Sequence, residues 1–205
     1  LTIMQWRNII VWDKQQREYL KQYCPNAEYR IVGMIDFSDC DIISNNFGSG
    51  VKIAIFDVTP IRKIFSTSYG HAIPPYYSTE LSFNFFSDVA SLTKINKTIL
   101  IWKRKRKVPH AFINKGLIVR LDNFIQQKKI IKADSRISAR SLIERCDAVI
   151  SMPFTSTCII GKELGRPSVY YDASGTIKLN ESHGIPILKS KEELKNWCNL
   201  LQIKK

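Results

Sequence analysis

Short apolar runs alternate with amphipathic stretches along this chain, and the alternation predicts strands and helices in turn. Asn8 to Trp12 reads as a short buried strand. Asp13 to Tyr23 follows as a helix, with Asp13 as its cap and Leu20 and Tyr23 among its inward residues. Pro25-Asn26 breaks that helix, and Tyr29 to Val32 predicts a second strand ending at Gly33. Val51 to Phe56 is an apolar run of the kind found inside a parallel sheet. Thr79 to Ile95 predicts a helix capped by Ser78 or Thr79, with Leu81, Phe85, Val89 and Leu92 on one stripe. Thr98 to Trp102 is the next strand. Lys115 to Gln127 reads as a helix that Gly116 weakens, Ile130-Ile131 as a short strand, and Ser138 to Cys146 as a short helix. Ala173 to Gly184 reads as an irregular polar loop. Ile187-Leu188 is a last short strand, and Ser190 caps a final helix from Lys191 to Leu201.

One stretch organises the rest, DAVISMPFTSTCIIGKELGRPSVYYD from Asp147 to Asp172. It predicts a buried strand (Ala148 to Ser151), a tight turn at Met152-Pro153, a helix opening in Thr155-Ser156-Thr157, and a strand from Ser168 to Tyr171. Pro153 can lead into a helix but cannot sit inside the preceding strand. A hydroxyl of Thr155, Ser156 or Thr157 can cap the helix, and Gly165 with Pro167 beyond it ends the helix. A strand, a polar turn and an open helix start direct free N–H groups and the helix dipole at one spot. Thr155, Ser156 and Thr157 there predict a site for the phosphate of a nucleotide-sugar. The plainer reading is an αβ unit whose hydroxyls only cap the helix.

The alternation of strands and helices predicts an α/β fold, a Rossmann-like doubly wound parallel sheet. The polar, Gly-rich segment from Asp36 to Gly50 reads as a linker. Residues 1–50 are thus expected to be the end of a preceding α/β domain plus linker, and residues 51–205 a nucleotide-sugar-binding domain. The start at Leu1 without methionine suits a fragment. Doubly wound sheets bind ligands at the carboxyl ends of their strands. The polar loops Asp57-Val58-Thr59, Lys103 to Arg106, Asp134-Ser135, Thr155 to Thr157 and Asp172 to Gly175 are all predicted there. The GxGxxG fingerprint and the GxxxxGK(S/T) phosphate loop are both absent, which disfavours a dehydrogenase or a P-loop ATPase.

Charge narrows the partner. With 31 Lys and Arg against 18 Asp and Glu the net charge is +13, which calls for an anionic partner or surface. Nucleic acid, anionic lipid and a phosphorylated ligand all qualify, and the densest cluster is Lys103 to Lys107. The aromatics sit at core spacing and are not interleaved with Lys and Arg, which counts against nucleic acid. The five cysteines are widely spaced and form no CxxC pair, so a reducing cytoplasm fits best. Cys146 and Cys158 read as small core residues. No apolar run reaches the length of a membrane span, and the first residues, with Arg7 and Asp13 around a short apolar piece, do not read as a signal peptide.

Residue types at the convergent loops suggest roles. Lys103 and Arg106 can neutralise a phosphate, Arg106 in two places at once; the alternative is a solvated patch or a nucleic-acid stripe. Asp57 is a candidate nucleophile, base or ribose anchor, or else caps a turn with Thr59. Asp134 and Ser135 join the nucleotide-binding set. His110, Asp172 and His183 are auxiliary candidates, the histidines as proton donors or loop residues with satisfied hydrogen bonds; His71 belongs with them. Tyr76-Tyr77 either line a sugar pocket or pack on the following helix.

The pieces IAIFDVTPIR (53–62), FNFFSDVASL (83–92), ILIWKRKR (99–106), ISARSLIERCDAVISMPFTSTCIIGKELGRPSVYYDASG (137–175) and HGIPIL (183–188) carry a resemblance. The chain resembles the C-terminal half of bacterial surface-carbohydrate biosynthesis glycosyltransferases of the two-domain GT-B architecture. Within that group it is similar to transferases that use CMP-activated acidic sugars such as Kdo, where Ser/Thr residues at a helix start hold the CMP phosphate. The resemblance gives Thr155, Ser156 and Thr157 that role, and makes Asp57 the candidate for the carboxylate nucleophile of a retaining enzyme. It implies a nucleotide-sugar donor as substrate and a glycan or lipid-linked glycan acceptor of lipopolysaccharide, O-antigen or capsule. No metal or other cofactor is expected, since no DxD-like pair sits at a strand end. The expected location is cytoplasmic, with the basic surface suited to the anionic inner leaflet. A basic nucleic-acid-binding module, a GT-B-like nucleotide-sugar epimerase and a non-catalytic structural domain are the alternatives.

Overall fold

The computed structural model describes residues 6–33, 47–58, 60, 78–95, 97–104 and 113–203. The chain forms two compact units, Leu1–Asp39 and Cys40–Lys205. In the first, strands β1 (Asn8–Val11) and β2 (Glu28–Ile31) pair in parallel around helix α1 (Lys14–Lys21). The Asp13 carboxylate caps α1 by accepting from Gln16 N at 2.8 Å. Ile9 and Val11 are buried while Ile10 is exposed, the alternation of a strand with one covered face. Tyr23 does not face inward as expected. The helix ends at Lys21, the amides of Tyr23 and Cys24 close onto the Leu20 carbonyl, and the Tyr23 ring lies exposed beside Tyr19.

The second unit is an α/β doubly wound fold. Its elements in chain order are β3 (Val51–Phe56), α2 (Thr79–Ala90), β4 (Thr98–Trp102), α3 (Lys115–Gln126), β5 (Ile131–Lys132), α4 (Ala139–Glu144), β6 (Ala148–Ser151), α5 (Ser156–Glu163), β7 (Ser168–Tyr171), β8 (Glu181–Ser182), β9 (Ile185–Leu188) and α6 (Lys191–Ile203). The seven strands lie in the order β5-β4-β3-β6-β7-β9-β8, and every neighbouring pair is parallel except β8 with β9. The chain winds outward from β3 through β4 to β5, returns to the other side of β3 as β6, and winds outward again through β7 to β9. The reversal between β3 and β6 is a topological switch point, where the loops leaving two adjacent parallel strands diverge and open a crevice.

Period-two alternation sorts the strand residues onto two faces. Ile53, Ile55, Leu100, Trp102, Ile150, Val169 and Tyr171 pack with Phe85, Phe86 and Val89 of α2, Leu117 and Leu121 of α3, and Leu194 and Cys198 of α6. The predicted stripe Leu81, Phe85, Val89 and Leu92 is buried. On the opposite face α5 comes so close to β6 and β7 that a Cβ on Gly161 would clash with Ser168 Oγ and lie 2.7 Å from Val149 Cγ2.

Several boundaries differ from the sequence reading, among them the last parallel strand, expected as Ile187-Leu188, which begins at Ile185. The helix begun at Thr79 is α-helical only to Ala90 and continues as a tighter 3-10 turn, Ser91–Lys94. The short strand before α4 is Ile131–Lys132, one residue later than expected. Part of the loop read as irregular is β8, because His183 (φ 57) and Gly184 (φ 67) form a two-residue turn that folds Glu181–Ser182 back on Ile185–Pro186. No helix among the described residues is long and apolar enough to cross a membrane.

Candidate functional site

The parallel strands place five polar loops along one edge of the sheet. From β5 to β7 they are Asp134-Ser135, Lys103-Arg104, Asp57-Val58, Met152 to Thr155, and Asp172, on five adjacent strands that span about 19 Å at the usual strand spacing. The centre of this edge is the switch point. There Phe56 stands opposite Ser151, Met152 N donates to Phe56 O at 3.1 Å, and Val58 N donates to Met152 Sδ at 3.4 Å.

The turn leaving β6 is held from below. Thr155 is the N-cap residue of α5 by backbone geometry, but its hydroxyl makes no cap. It donates instead to Ser151 Oγ at 2.6 Å and lies 3.1 Å from the Thr157 hydroxyl. Ser151 Oγ is 2.9 Å from Cys158 Sγ, which donates to Val169 O at 3.1 Å. Tyr170 Oη donates to Thr155 O at 3.1 Å. Thr155 and Thr157 are therefore buried in a hydroxyl–thiol network, while Ser156, the first helical residue, is half-buried. The N-cap side chain of α5 makes no cap, so among the described residues the first amides of the helix are open to an anion.

On the other side of the switch point Asp57 is 2% exposed and Oδ1 accepts from Trp102 Nε1 at 2.9 Å. Trp102 is itself held edge-on by Phe86, with ring centroids 5.1 Å apart, and the Arg104 guanidinium lies 5.6 Å from its ring centroid. Burial pulls the Lys103 ammonium below its ordinary value, and the nearby Asp134 carboxylate opposes that shift. Asp134 is forked by Arg136, with Nη2 to Oδ2 at 2.7 Å and Nε to Oδ1 at 3.1 Å, which holds its carboxyl down to about 2. Ser135 beside it is exposed.

Asp57, Lys103 and the Thr155–Thr157 turn thus lie on three adjacent strands, β3, β4 and β6. Asp134 and Ser135 are one strand further out on one side, and Asp172 one strand further on the other. Asp172 is fully buried and serves its own loop, accepting from Ser174 N and Ser174 Oγ on one oxygen and from Ile177 N on the other. His183 is set apart from the cluster. It sits at the amino-terminal end of β9, hence at the opposite edge of the sheet, where its carbonyl accepts from Lys162 Nζ. Arg106, His110, His71, Thr59, Lys105, Lys107, Tyr76 and Tyr77 lie outside the described residues. Burial pushes the Cys146 and Cys158 thiols up to about 12, as suits core residues. Among the described residues no group of three or more His, Cys, Asp and Glu could hold a metal ion.

Sequence reasoning missed Trp102, Ser151 and Phe154. Each carried a signal. Trp102 closes an apolar strand two residues after Leu100 and so falls on that strand's core face, and the register that sets it beside Ile55 brings it to Asp57. Ser151 is the one polar residue of AVIS, and Phe154 is a lone aromatic inside a polar turn.

The model of one protein family, described as polysaccharide biosynthesis PFTS motif protein, matches residues 1–198. The letters of that description read as Pro153-Phe154-Thr155-Ser156 in this chain, the turn at the switch point. No curated protein matches the chain.

Proposed function

Since the chain belongs to the polysaccharide biosynthesis PFTS motif protein family, we propose that it is the donor-binding part of a glycosyltransferase. It would take a sugar from a nucleotide donor, a CMP-activated acidic sugar in the first instance, and transfer it to a growing surface polysaccharide or lipopolysaccharide. The observation that supports this reading is the coincidence of the PFTS turn with the switch point of a doubly wound sheet, next to a buried carboxylate and a basic strand end. Uncapped amides at the start of α5 and the half-buried Ser156 hydroxyl suit a phosphate, and Lys103 adds charge from β4. Ser135 extends the same polar rim from β5.

The reaction would form a bond from an acceptor hydroxyl oxygen to the anomeric carbon while the bond from that carbon to the donor phosphate breaks. The nucleotide leaves with the electron pair, and the charge building on its phosphate is what the α5 amides, Ser156 and Lys103 would stabilise. Asp57 is the proposed carboxylate. As base it takes the acceptor proton in that displacement. As nucleophile it would bond the anomeric carbon while the phosphate leaves, and then be displaced by the acceptor oxygen in a second step. Trp102 fixes its orientation, and its burial in this structure means that the carboxylate must be uncovered before it reacts. The acceptor is proposed to be a glycan or lipid-linked glycan, and the net charge of +13 suits an anionic membrane surface.

The test is a calorimetric titration with CMP, UDP and GDP. Saturable binding of CMP, weakened about tenfold or more in Ser156→Ala, is the expected result. Preference for UDP or GDP keeps the transferase and removes the CMP donor. Binding of none of the three removes the donor site.

A further inference from the structure

The PFTS turn contains one residue that neither the core nor the hydrogen-bond network explains. Phe154 lies between buried Pro153 and buried Thr155, yet it is 50% exposed. Its φ is +64, left-handed backbone that glycine takes freely and that is an outlier for a bulky side chain. The other described non-glycine residues with left-handed backbone, Lys97, Lys128 and His183, are polar residues at turns. A strained residue persists only where its surroundings over-determine it, and such residues gather at functional sites. The surroundings here do so. Thr155 is tied through its hydroxyl to Ser151 and through its carbonyl to Tyr170, and the buried Tyr170 ring lies 6.3 Å from the Phe154 ring at 42°. The chain is fixed below while an aromatic ring is displayed above.

We infer that Phe154 is the stacking platform for the base of the nucleotide whose phosphate meets the start of α5, an inference that rests on the donor-site reading. The ring stands one residue before the N-cap, about 3.8 Å of chain from it, which is within the reach of a ribose from the helix start. A phenyl face stacks on any base, so the platform supplies affinity without choosing among bases. The other task open to an apolar residue at this position is a staple against Ile159, four residues after the N-cap. A staple is a packing contact, and its removal destabilises the fold.

The test compares the full chain with Phe154→Gly, Phe154→Leu and Phe154→Trp, by thermal unfolding and by titration with CMP, UDP, GDP and inorganic phosphate. The expected Phe154→Gly protein unfolds at or above the wild-type temperature, because the left-handed strain is gone. Phe154→Gly and Phe154→Leu bind every nucleotide that the wild type binds about tenfold more weakly, Phe154→Trp retains the affinity, and inorganic phosphate binds all four proteins alike. A lower unfolding temperature for Phe154→Gly makes the ring a staple and overturns the platform. Unchanged nucleotide affinity overturns the platform while the donor site stands, and so does a loss confined to one base or shared by inorganic phosphate. A wild type that binds none of the nucleotides overturns the donor site and the platform with it.

Discussion

Asp57 is a buried carboxylate at the end of an apolar strand, and the Trp102 indole is a donor aimed at it. Trp102→Phe keeps an aromatic ring on the core face but removes that donor. A buried carboxylate short of a donor bears a desolvation cost, so the variant should lose about 2 kcal/mol of stability in urea unfolding. Asp57→Asn should lose less, because an amide oxygen still accepts from the indole. Equal and negligible losses in both would mean that the bond is incidental. Asp134 makes a different prediction. Arg136 holds its folded-state carboxyl below the ordinary value, down to about 2. The stabilisation this gives is present in full above the ordinary carboxylate value of about 4 and is lost as pH falls from there through about 2. The pair is exposed at Arg136 (76%) and screened, so its share is small. Thermal midpoints measured between pH 5 and pH 2 should fall more steeply in the wild type than in Asp134→Asn, and parallel curves would remove the assignment.

At the level of elements, Gly161 decides how closely α5 lies on the sheet. A glycine inside a helix is unfavourable by propensity, and Gly161→Ala on a free helix would stabilise by about 1 kcal/mol. Here the added carbon meets Ser168 Oγ and Val149 Cγ2, so α5 must shift. Overpacking of this kind costs about 1–3 kcal/mol, and the variant should be less stable than wild type in chemical unfolding; a more stable variant would show that α5 has slack. Elements were legible in proportion to their length and burial. The strands Val51–Phe56, Thr98–Trp102, Ala148–Ser151 and Ser168–Tyr171 have the bounds read from their apolar runs, since a central parallel strand must be apolar on both faces. The caps Asp13, Ser78 and Ser190 were legible too, because capping is local chemistry, while Ser138, expected as the first helical residue, is itself the cap. Glu181–Ser182 was not legible. Its two residues are strand only because the His183-Gly184 turn brings them to an edge, and nothing in their own side chains demands it.

At the scale of the whole molecule, strand alternation predicted a doubly wound sheet but could not give its order, since pairing is settled by contacts distant in sequence. The order puts β3 and β6 together, and that adjacency unites Asp57 with the PFTS turn across nearly a hundred residues of chain. The candidate site was thus legible as a set of strand-end loops, and illegible in which hydroxyls would turn inward, as Thr155 and Thr157 do. Net charge acts at this scale as well. A chain of +13 attracts any anion, so charge alone does not separate a nucleotide from a nucleic acid. Salt separates them. A mononucleotide carries about two negative charges and meets few cations, so its affinity should fall less than about tenfold between about 50 and 200 mM salt. A duplex that neutralises six to ten phosphates would lose about 10³–10⁵ over the same range. Titrations of CMP and of a short DNA duplex at both salt concentrations therefore separate the two classes of partner. A shallow slope for the nucleotide, with weak DNA binding that salt abolishes, is expected of a localised site at the switch point. Tight DNA binding with a steep slope, and none for the nucleotide, would make the basic surface rather than the crevice the functional feature of this chain.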